Sequence, residues 1–580
     1  MNTFDFHFHP LFKRFVTKFE DADRQNGSST LPVRLPGIGS VIDTLAGHIL
    51  ENQASVAQTM ARKQPTETCL GIAAVLAMEY VFASRQGLLK LLELEFFGRD
   101  VVAVLDSRFI DFVNQSQGSY AQLLDKEIAF YQWVAQESAK PASTLTHKIN
   151  LLNRKIGQPV QAQLQAGMLN LALAIEGGHS LSQRTIRQLV GPYDPVEQVR
   201  KFRTDPTLDF FYLTLTHLSH VPEQPLCSHA FGFKLVKNVP AARPQFGGLT
   251  QLGRDVVRAC VDTKAIPHPI LIDIKHMSAR GRDEFFAYRR ELLAQQPDGF
   301  LAPGPNNTWP VVATHMGVTG FRRRQMRSHL VQYGVEAANP FSVRLRFNRD
   351  RAGQFKQGLV KENVFFNASS IGLFDDDIEE IALSGGLIGI SLDARILGFQ
   401  DVVQRNLEGP DHDFDYFSRD DFAAYFPELS QALPPLAEKE EAGAVPGAEL
   451  LPVGFGNELL GQADRRTREL YLFCLNVLHV VAVIKNLGAA VPRNAWDFVC
   501  LGSDYDGLID SIKAARTVDH LPGFRQELLD FFPKAEKAYR KLRDDAPELL
   551  PRSNGLPEVE PVLEALFFGN GHRFLLDWWG

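Results

Sequence analysis

His7 and His9 stand two residues apart in the apolar run TFDFHFH (3–9). Alternate residues of a strand face one side, so this pair brings two imidazoles to one place. Neutral imidazoles held together on a rigid strand make a half-site for Zn²⁺, which takes nitrogen ligands at about 2.0–2.1 Å. The plainer alternative packs one ring and bonds the other to a backbone carbonyl. Further runs shift the balance. Glu176 follows LNLALAI, His276 closes PILIDIKH (269–276), His315 closes PVVATH (310–315) and Asp504 closes DFVCLGSD (497–504). Each has an ordinary explanation of its own: a loop ion pair for Glu176, a satisfied core histidine for His276 and His315, a helix N-cap for Asp504. Their recurrence at the same end of successive runs points to a metal site. Gly177 and Gly178 would let the chain turn tightly beside an ion.

Strands must position these residues. The runs are short and rich in Ile, Val, Leu and Phe, which suits strands buried on both faces of a parallel sheet. FFYLTLTH (210–217) and GLIGISLD (386–393) belong to the same set. Helical segments lie between them. LTQLGRDVVRACVDTK (249–264) has apolar residues at helical spacing and Thr250 as N-cap, and Ser278 caps ARGRDEFFAYRREL. Alternating strands and helices predict an α/β fold, a (β/α)8 TIM-type barrel with long insertions in the strand-helix loops. The polar residues fall at the carboxyl ends of the strands, where such barrels carry their active sites. The second strand lies in CLGIAAVLAMEYVFA (69–83) or in VVAVLD (101–106), and both remain open. Insertions are expected at 320–385 and 401–460, grafted onto a single domain spanning 1–580. The second includes the Pro-, Gly- and charge-rich LPPLAEKEEAGAVPGAELLPVGFG.

The composition is that of an ordinary globular chain, 45% hydrophobic and 22% charged. A net charge of −7 argues against a nucleic-acid or anionic-membrane binder. Five scattered cysteines without a CxxC pair suit reduced, buried thiols. No signal peptide precedes Asp5. The apolar stretch LFCLNVLHVVAVI is too short to span a bilayer and is interrupted by Asn476 and His479. The expectation is a soluble cytoplasmic protein.

The chain resembles the membrane dipeptidase (renal dipeptidase) family of the amidohydrolase superfamily, binuclear zinc enzymes on a (β/α)8 barrel. The resemblance runs in order through nearly the whole sequence: AIEGGHSL, YLTLTH, GGLTQLGRDVV, LIDIKHMS, VVATH, FVCLGSDYDG and the closing EALFFGNGHRFLLDWW (564–579). AIEGGHSL and LGSDYDG carry most of it. It implies two Zn²⁺ per chain, with His7 and His9 on the first metal, Glu176 bridging both, and His276 and His315 on the second. It implies that His217 meets the substrate carbonyl and stabilises the oxyanion. Asp504 takes a proton from a hydroxide held between the metals and passes it to the leaving amine. His179, His220 and Asp506 lie beside these motifs and receive no role. The implied substrate is a small molecule, a dipeptide or related amide, with no nucleic acid or membrane partner; the family often forms homodimers.

Two departures stand out. The family usually has His-x-Asp on the first strand, and this chain has His7-Phe8-His9, the pattern of the wider superfamily. The swap removes a negative charge from the first metal's surroundings and should lower the pKa of the bridging water, at some cost in nucleophilicity. After His315 the family continues with a Ser-Ser-Ala-like turn and an arginine that grips the substrate carboxylate. Here the text is MGVTGFRRRQMR, in which Arg322, Arg323, Arg324 and Arg327 are open alternatives, each equally well read as part of a solvated basic face. Three functions follow: a zinc dipeptidase, the same machinery acting on another amide, lactone or cyclic amide, and a non-catalytic metal-binding barrel.

Overall fold

The structure is a computed structural model. It describes residues 1–17, 67–80, 107–114, 118–232, 242–295, 309–347, 364–400, 414–434 and 462–579, apart from isolated positions within these spans. Eight barrel strands follow one another along the chain: β1 (Thr3–Phe8), β2 (Cys69–Val75), β3 (Leu169–Glu176), β4 (Phe210–Thr214), β5 (Leu271–Asp273), β6 (Val312–Met316), β7 (Leu387–Ile390) and β8 (Val499–Leu501). Each pairs in parallel with the next. All eight residues of β3 and all seven of β2 are buried, as expected for strands covered on both faces. The second strand is therefore within 69–83; VVAVLD (101–106) lies outside the described residues.

β8 meets β1 through the residues just beyond it. The Asp504 N–H donates to the His7 carbonyl and the His9 N–H to the Tyr505 carbonyl, both at 2.8 Å. The Ser503 N–H donates to Asp5 Oδ1 at 2.9 Å, and the Ser503 hydroxyl donates to the other Asp5 oxygen. The result is a nearly closed barrel whose seam runs through the first and last candidate site residues.

Helices cover the outside. α1 (Tyr120–Ser138) opens on a capping box at Ser119. α2 (Gln251–Val261) is capped by Thr250, whose hydroxyl accepts from the Gly253 N–H at 3.0 Å. α3 (Ala279–Gln295) follows Ser278, whose hydroxyl accepts from the Gly281 N–H at 3.0 Å. α4 (Asp375–Leu383) leads into β7. α5 (Gln462–Asn486) is long and apolar enough over Arg466–Asn486 to cross a membrane, more than the apolar stretch 472–484 suggests. Yet 94% of its apolar window is buried inside the fold. Asn476 accepts from the Val318 N–H at 2.8 Å, and His479 contacts Asp375 and the Tyr539 hydroxyl, so its polar residues are bonded to the fold around it. α6 (Leu521–Leu542) packs on α5, and α7 (Asn570–Trp579) sets Phe574 edge-on against Phe6 of β1.

The two insertions meet. Strands Leu330–Glu336 and Asn339–Phe347 come from the first, and Phe414–Ser418 comes from the second. They form one antiparallel sheet with Phe417 opposite Val343. Phe321, Val343, Leu345, Phe374, Phe417 and Phe422 give it an apolar cluster of its own. Most of LPPLAEKEEAGAVPGAELLPVGFG lies outside the described residues. All five cysteines are buried and none is in a disulfide.

Candidate metal centre

Glu176 ends β3 at the mouth of the barrel, and five imidazole Nε2 atoms converge on its carboxylate. Four face Oε1: His7 at 3.3 Å, His276 at 3.4 Å, and His217 and His315 at 3.6 Å. His9 lies 3.2 Å from Oε2. The His7 and His9 Nε2 atoms are 3.3 Å apart, and so are those of His276 and His315. Asp504 Oδ1 sits 3.4 Å from His9 Nε2 and 3.8 Å from His7 Nε2, so this side chain faces the site and not a helix end. Two sets of three donors therefore share Glu176: His7 and His9 on one side, His276 and His315 on the other.

Hydrogen bonds behind the rings fix which nitrogen faces inward. The His9 Nδ1–H donates to the Ala74 carbonyl at 3.1 Å. The Tyr212 hydroxyl donates to the Phe6 carbonyl, so its oxygen accepts from the His7 Nδ1–H at 2.7 Å. The Thr314 hydroxyl donates to Asp273 at 2.7 Å, so its oxygen accepts from the His315 Nδ1–H at 3.0 Å. In their neutral forms these three rings present an Nε2 lone pair to the centre. Lone pairs facing one another and a carboxylate at such distances repel unless a cation or proton lies between them. Second-layer partners of this kind are what metal-ligating imidazoles usually have. The donor set fits two nitrogen-and-carboxylate metal sites sharing one bridging glutamate.

The backbone is bent to make this arrangement. Gly177 has φ +86°, and a Cβ there would meet the His179 ring at 2.4 Å; one on Gly178 would meet the Leu215 carbonyl oxygen at 2.5 Å. Both glycines read from the sequence are thus required by the turn after Glu176. His276, Asp504 and Asp506 also have positive φ, at 65°, 61° and 63°. Non-glycine residues held there carry strain of roughly 1–3 kcal/mol each, a cost that concentrates at functional sites.

Charge is distributed unevenly. Burial would lower the His9 imidazole, but bonds to Asp504 and Glu176 outweigh it and push it up to about 10. Burial would raise Glu176, and the surrounding histidines, His217 and His7 foremost, hold it well below the usual carboxylate range. Burial opposes ionisation of Glu79 too, yet His217 and His179 bring it down to about 2. Burial lowers the Lys275 ammonium to about 8 against the pull of Asp504 and Asp273.

All seven residues singled out in the sequence, His7, His9, Glu176, His217, His276, His315 and Asp504, meet at this one place. His179 instead donates from Nε2 to the Ala77 carbonyl at 2.7 Å, and His220 stacks on His229. Further neighbours, Thr314 among them, were not read from the sequence. Glu79 accepts from His217 Nδ1 at 2.6 Å and from the Leu218 N–H at 3.1 Å. Tyr212 and Asp273 act as described above. Lys275 lines the pocket with Glu176, His217 and Asp504. Glu79 closes the apolar run that begins at β2, the same signal that marked the others. None of the four arginines after His315 lines that pocket. Arg322 pairs with Glu379 and Asp376, and Arg323 with Asp283 and Asp377.

Fold and donor set together define an α/β barrel with a constellation that could hold metal at the carboxyl ends of its strands. No family model matches the chain, and no curated protein matches it. Its structural neighbours are metallo-dipeptidases and related amidohydrolases. A metallo peptidase from Rhodobacter sphaeroides, solved with a phosphinate mimic of the dipeptide L-Ala-D-Ala, aligns over 100% of this chain and 99% of its own, at 13% identity and a TM-score of 0.44. The dipeptidase AC aligns over the same shares at 13% identity and a TM-score of 0.43. The probable dipeptidase PvdM from Pseudomonas aeruginosa aligns over 79% of each chain, at 13% identity and a TM-score of 0.36.

Proposed function

We propose that this chain is a binuclear zinc-dependent hydrolase of the membrane dipeptidase type, cleaving the amide bond of a dipeptide. One observation carries the reading: the Glu176 carboxylate is shared by two pairs of imidazoles, His7 with His9 and His276 with His315. Two zinc ions held there would polarise the scissile carbonyl and bring a water to hydroxide near neutral pH. The protein's own groups do the rest. His217 is bonded through Nδ1 to the anionic Glu79; burial disfavours its charged form, and the Glu79 and Glu176 carboxylates outweigh it, raising its pKa and favouring the imidazolium. Its Nε2–H is then a donor for the oxygen that gains charge as the carbonyl is attacked. Asp504 is the partly open carboxylate of the group, its side chain 17% exposed, so water and substrate reach it. It accepts the proton of the attacking water and returns it to the leaving nitrogen.

The same residues would serve a hydrolase of another amide, lactone or cyclic amide. The engagement of Arg322 and Arg323 with acidic partners favours keeping that second reading. A purely structural metal site would need neither the Glu79–His217 pair nor an accessible Asp504. Elemental analysis of protein purified without chelator, followed by turnover of a dipeptide panel, tests the proposal. About two divalent ions per chain and hydrolysis are expected. Less than half an equivalent that added zinc does not restore overturns the binuclear reading. Full metal with no dipeptide turnover, but turnover of a lactone or cyclic amide, would select the second reading.

A further inference from the structure

Lys275 follows β5 and immediately precedes His276. Its backbone N–H is fixed to Asp273 Oδ1 at 3.0 Å. The residue is 1% exposed, and its Nζ has no hydrogen-bond partner among the described residues. An ammonium carries three donors and no acceptor. Burying one without a partner is costly. The side chain lines the same pocket as Glu176, His217 and Asp504. The other lysine or arginine there, Arg395, is 41% exposed and held by Asp393. Lys275 is thus a deep ammonium of the pocket whose donors are left for something that enters it.

We propose that Lys275 anchors an anionic group of the substrate lying a few bonds from the scissile carbonyl, such as the free carboxylate of a dipeptide. In a dipeptide the carboxylate carbon is three bonds from the scissile carbonyl carbon, so its receptor must stand beside the metal ligands and not on the rim. Consecutive Cα atoms are about 3.8 Å apart, and Lys275 is one residue from His276. A compact ammonium on a flexible stem suits an anion as a point charge. The assignment names the substrate class of the proposed hydrolase and rests on that reading.

Calorimetry on zinc-loaded protein tests it without turnover. The probes are a dipeptide isostere with a reduced (CH₂–NH) central bond, bearing either a free carboxylate or a carboxamide. The wild type should bind the carboxylate form roughly 10–100-fold tighter, the worth of one charge-assisted hydrogen bond. Lys275→Met should bring that ratio close to one, and Lys275→Arg should keep part of it; Lys275→Gln replaces the Met variant if that fails to fold. Metal content is measured on the same preparations, so a lost metal is not mistaken for a lost anchor. Equal affinity of the wild type for both forms, or an undiminished preference in the neutral variant, overturns the assignment alone. Failure of the metal-loaded wild type to bind either form overturns the dipeptide reading together with it.

Discussion

Glu79→Gln isolates the electrostatic support of the site from its metal ligands. Glu79 is buried, and its Oε1 accepts from His217 Nδ1 at 2.6 Å. Burial pushes this carboxyl up from 4.5, yet the charges of His217 and His179 bring it down to about 2. That difference is on the order of 3 kcal/mol in favour of the charged pair. Glutamine keeps the shape and an acceptor oxygen but removes the charge. His217 should then lose its imidazolium proton at lower pH. The sign is fixed: carboxylates raise His217, so removing one lowers it, and the alkaline limb of the rate profile should move acidward. Turnover on the alkaline side should fall about 10²-fold. The assay is kcat/KM against pH on zinc-loaded protein, with metal content read on the same sample. An unmoved alkaline limb refutes the argument, even if the rate drops, because a packing role would lower the rate without shifting the profile.

Asp504→Asn should fold normally, retain most metal and lose about 10²–10⁴-fold in turnover, the usual worth of a positioned general base; near-parental turnover would remove Asp504 from the mechanism. His9→Asp restores the first-strand pattern of the family and should keep metal and some activity, whereas His9→Ala should lose occupancy on the His7 side. If both bind metal like the parent, His9 is not a ligand. Glu127 is buried and pushed up by that burial to about 8, against the pull of its bond from the Leu76 N–H. A carboxyl raised on folding adds stability that is present below its ordinary 4.5 and disappears as pH rises through about 8. Glu127→Gln keeps the acceptor for Leu76 and does not titrate. Thermal melts from pH 4.5 to pH 9 should therefore show the wild type losing on the order of 3–5 kcal/mol relative to the variant; parallel Tm curves would contradict this.

What the sequence made legible follows from where each residue sits. His7, Glu176, His217, His276, His315 and Asp504 end or interrupt apolar runs, and a polar residue at a strand's carboxyl end stands out without knowledge of the fold. Glu79 follows the same rule but stayed hidden, because CLGIAAVLAMEYVFA is apolar far beyond the seven residues of β2 and the strand's end cannot be seen in it. Tyr212, Asp273 and Thr314 act sideways, from one strand to its neighbour. Their contacts depend on register and barrel closure, which no local pattern encodes. The insertions were visible as excess length. That Phe414–Ser418 of one pairs with Asn339–Phe347 of the other was not, since the partners lie some 70 residues apart and pair across an intervening barrel strand. α5 was underestimated because Asn476 and His479 break its apolar text while bonding inside the fold.

The central claim is that Glu176 bridges two metal ions. Crystals of zinc-loaded protein, measured with X-rays at the zinc absorption edge, test it directly. The account predicts two anomalous peaks flanking the Glu176 carboxylate, one bound by His7 and His9 and the other by His276 and His315, each at about 2.0–2.2 Å from its nitrogen and oxygen ligands. A single peak, or zinc bound away from Glu176 with these imidazoles uncoordinated, would contradict it.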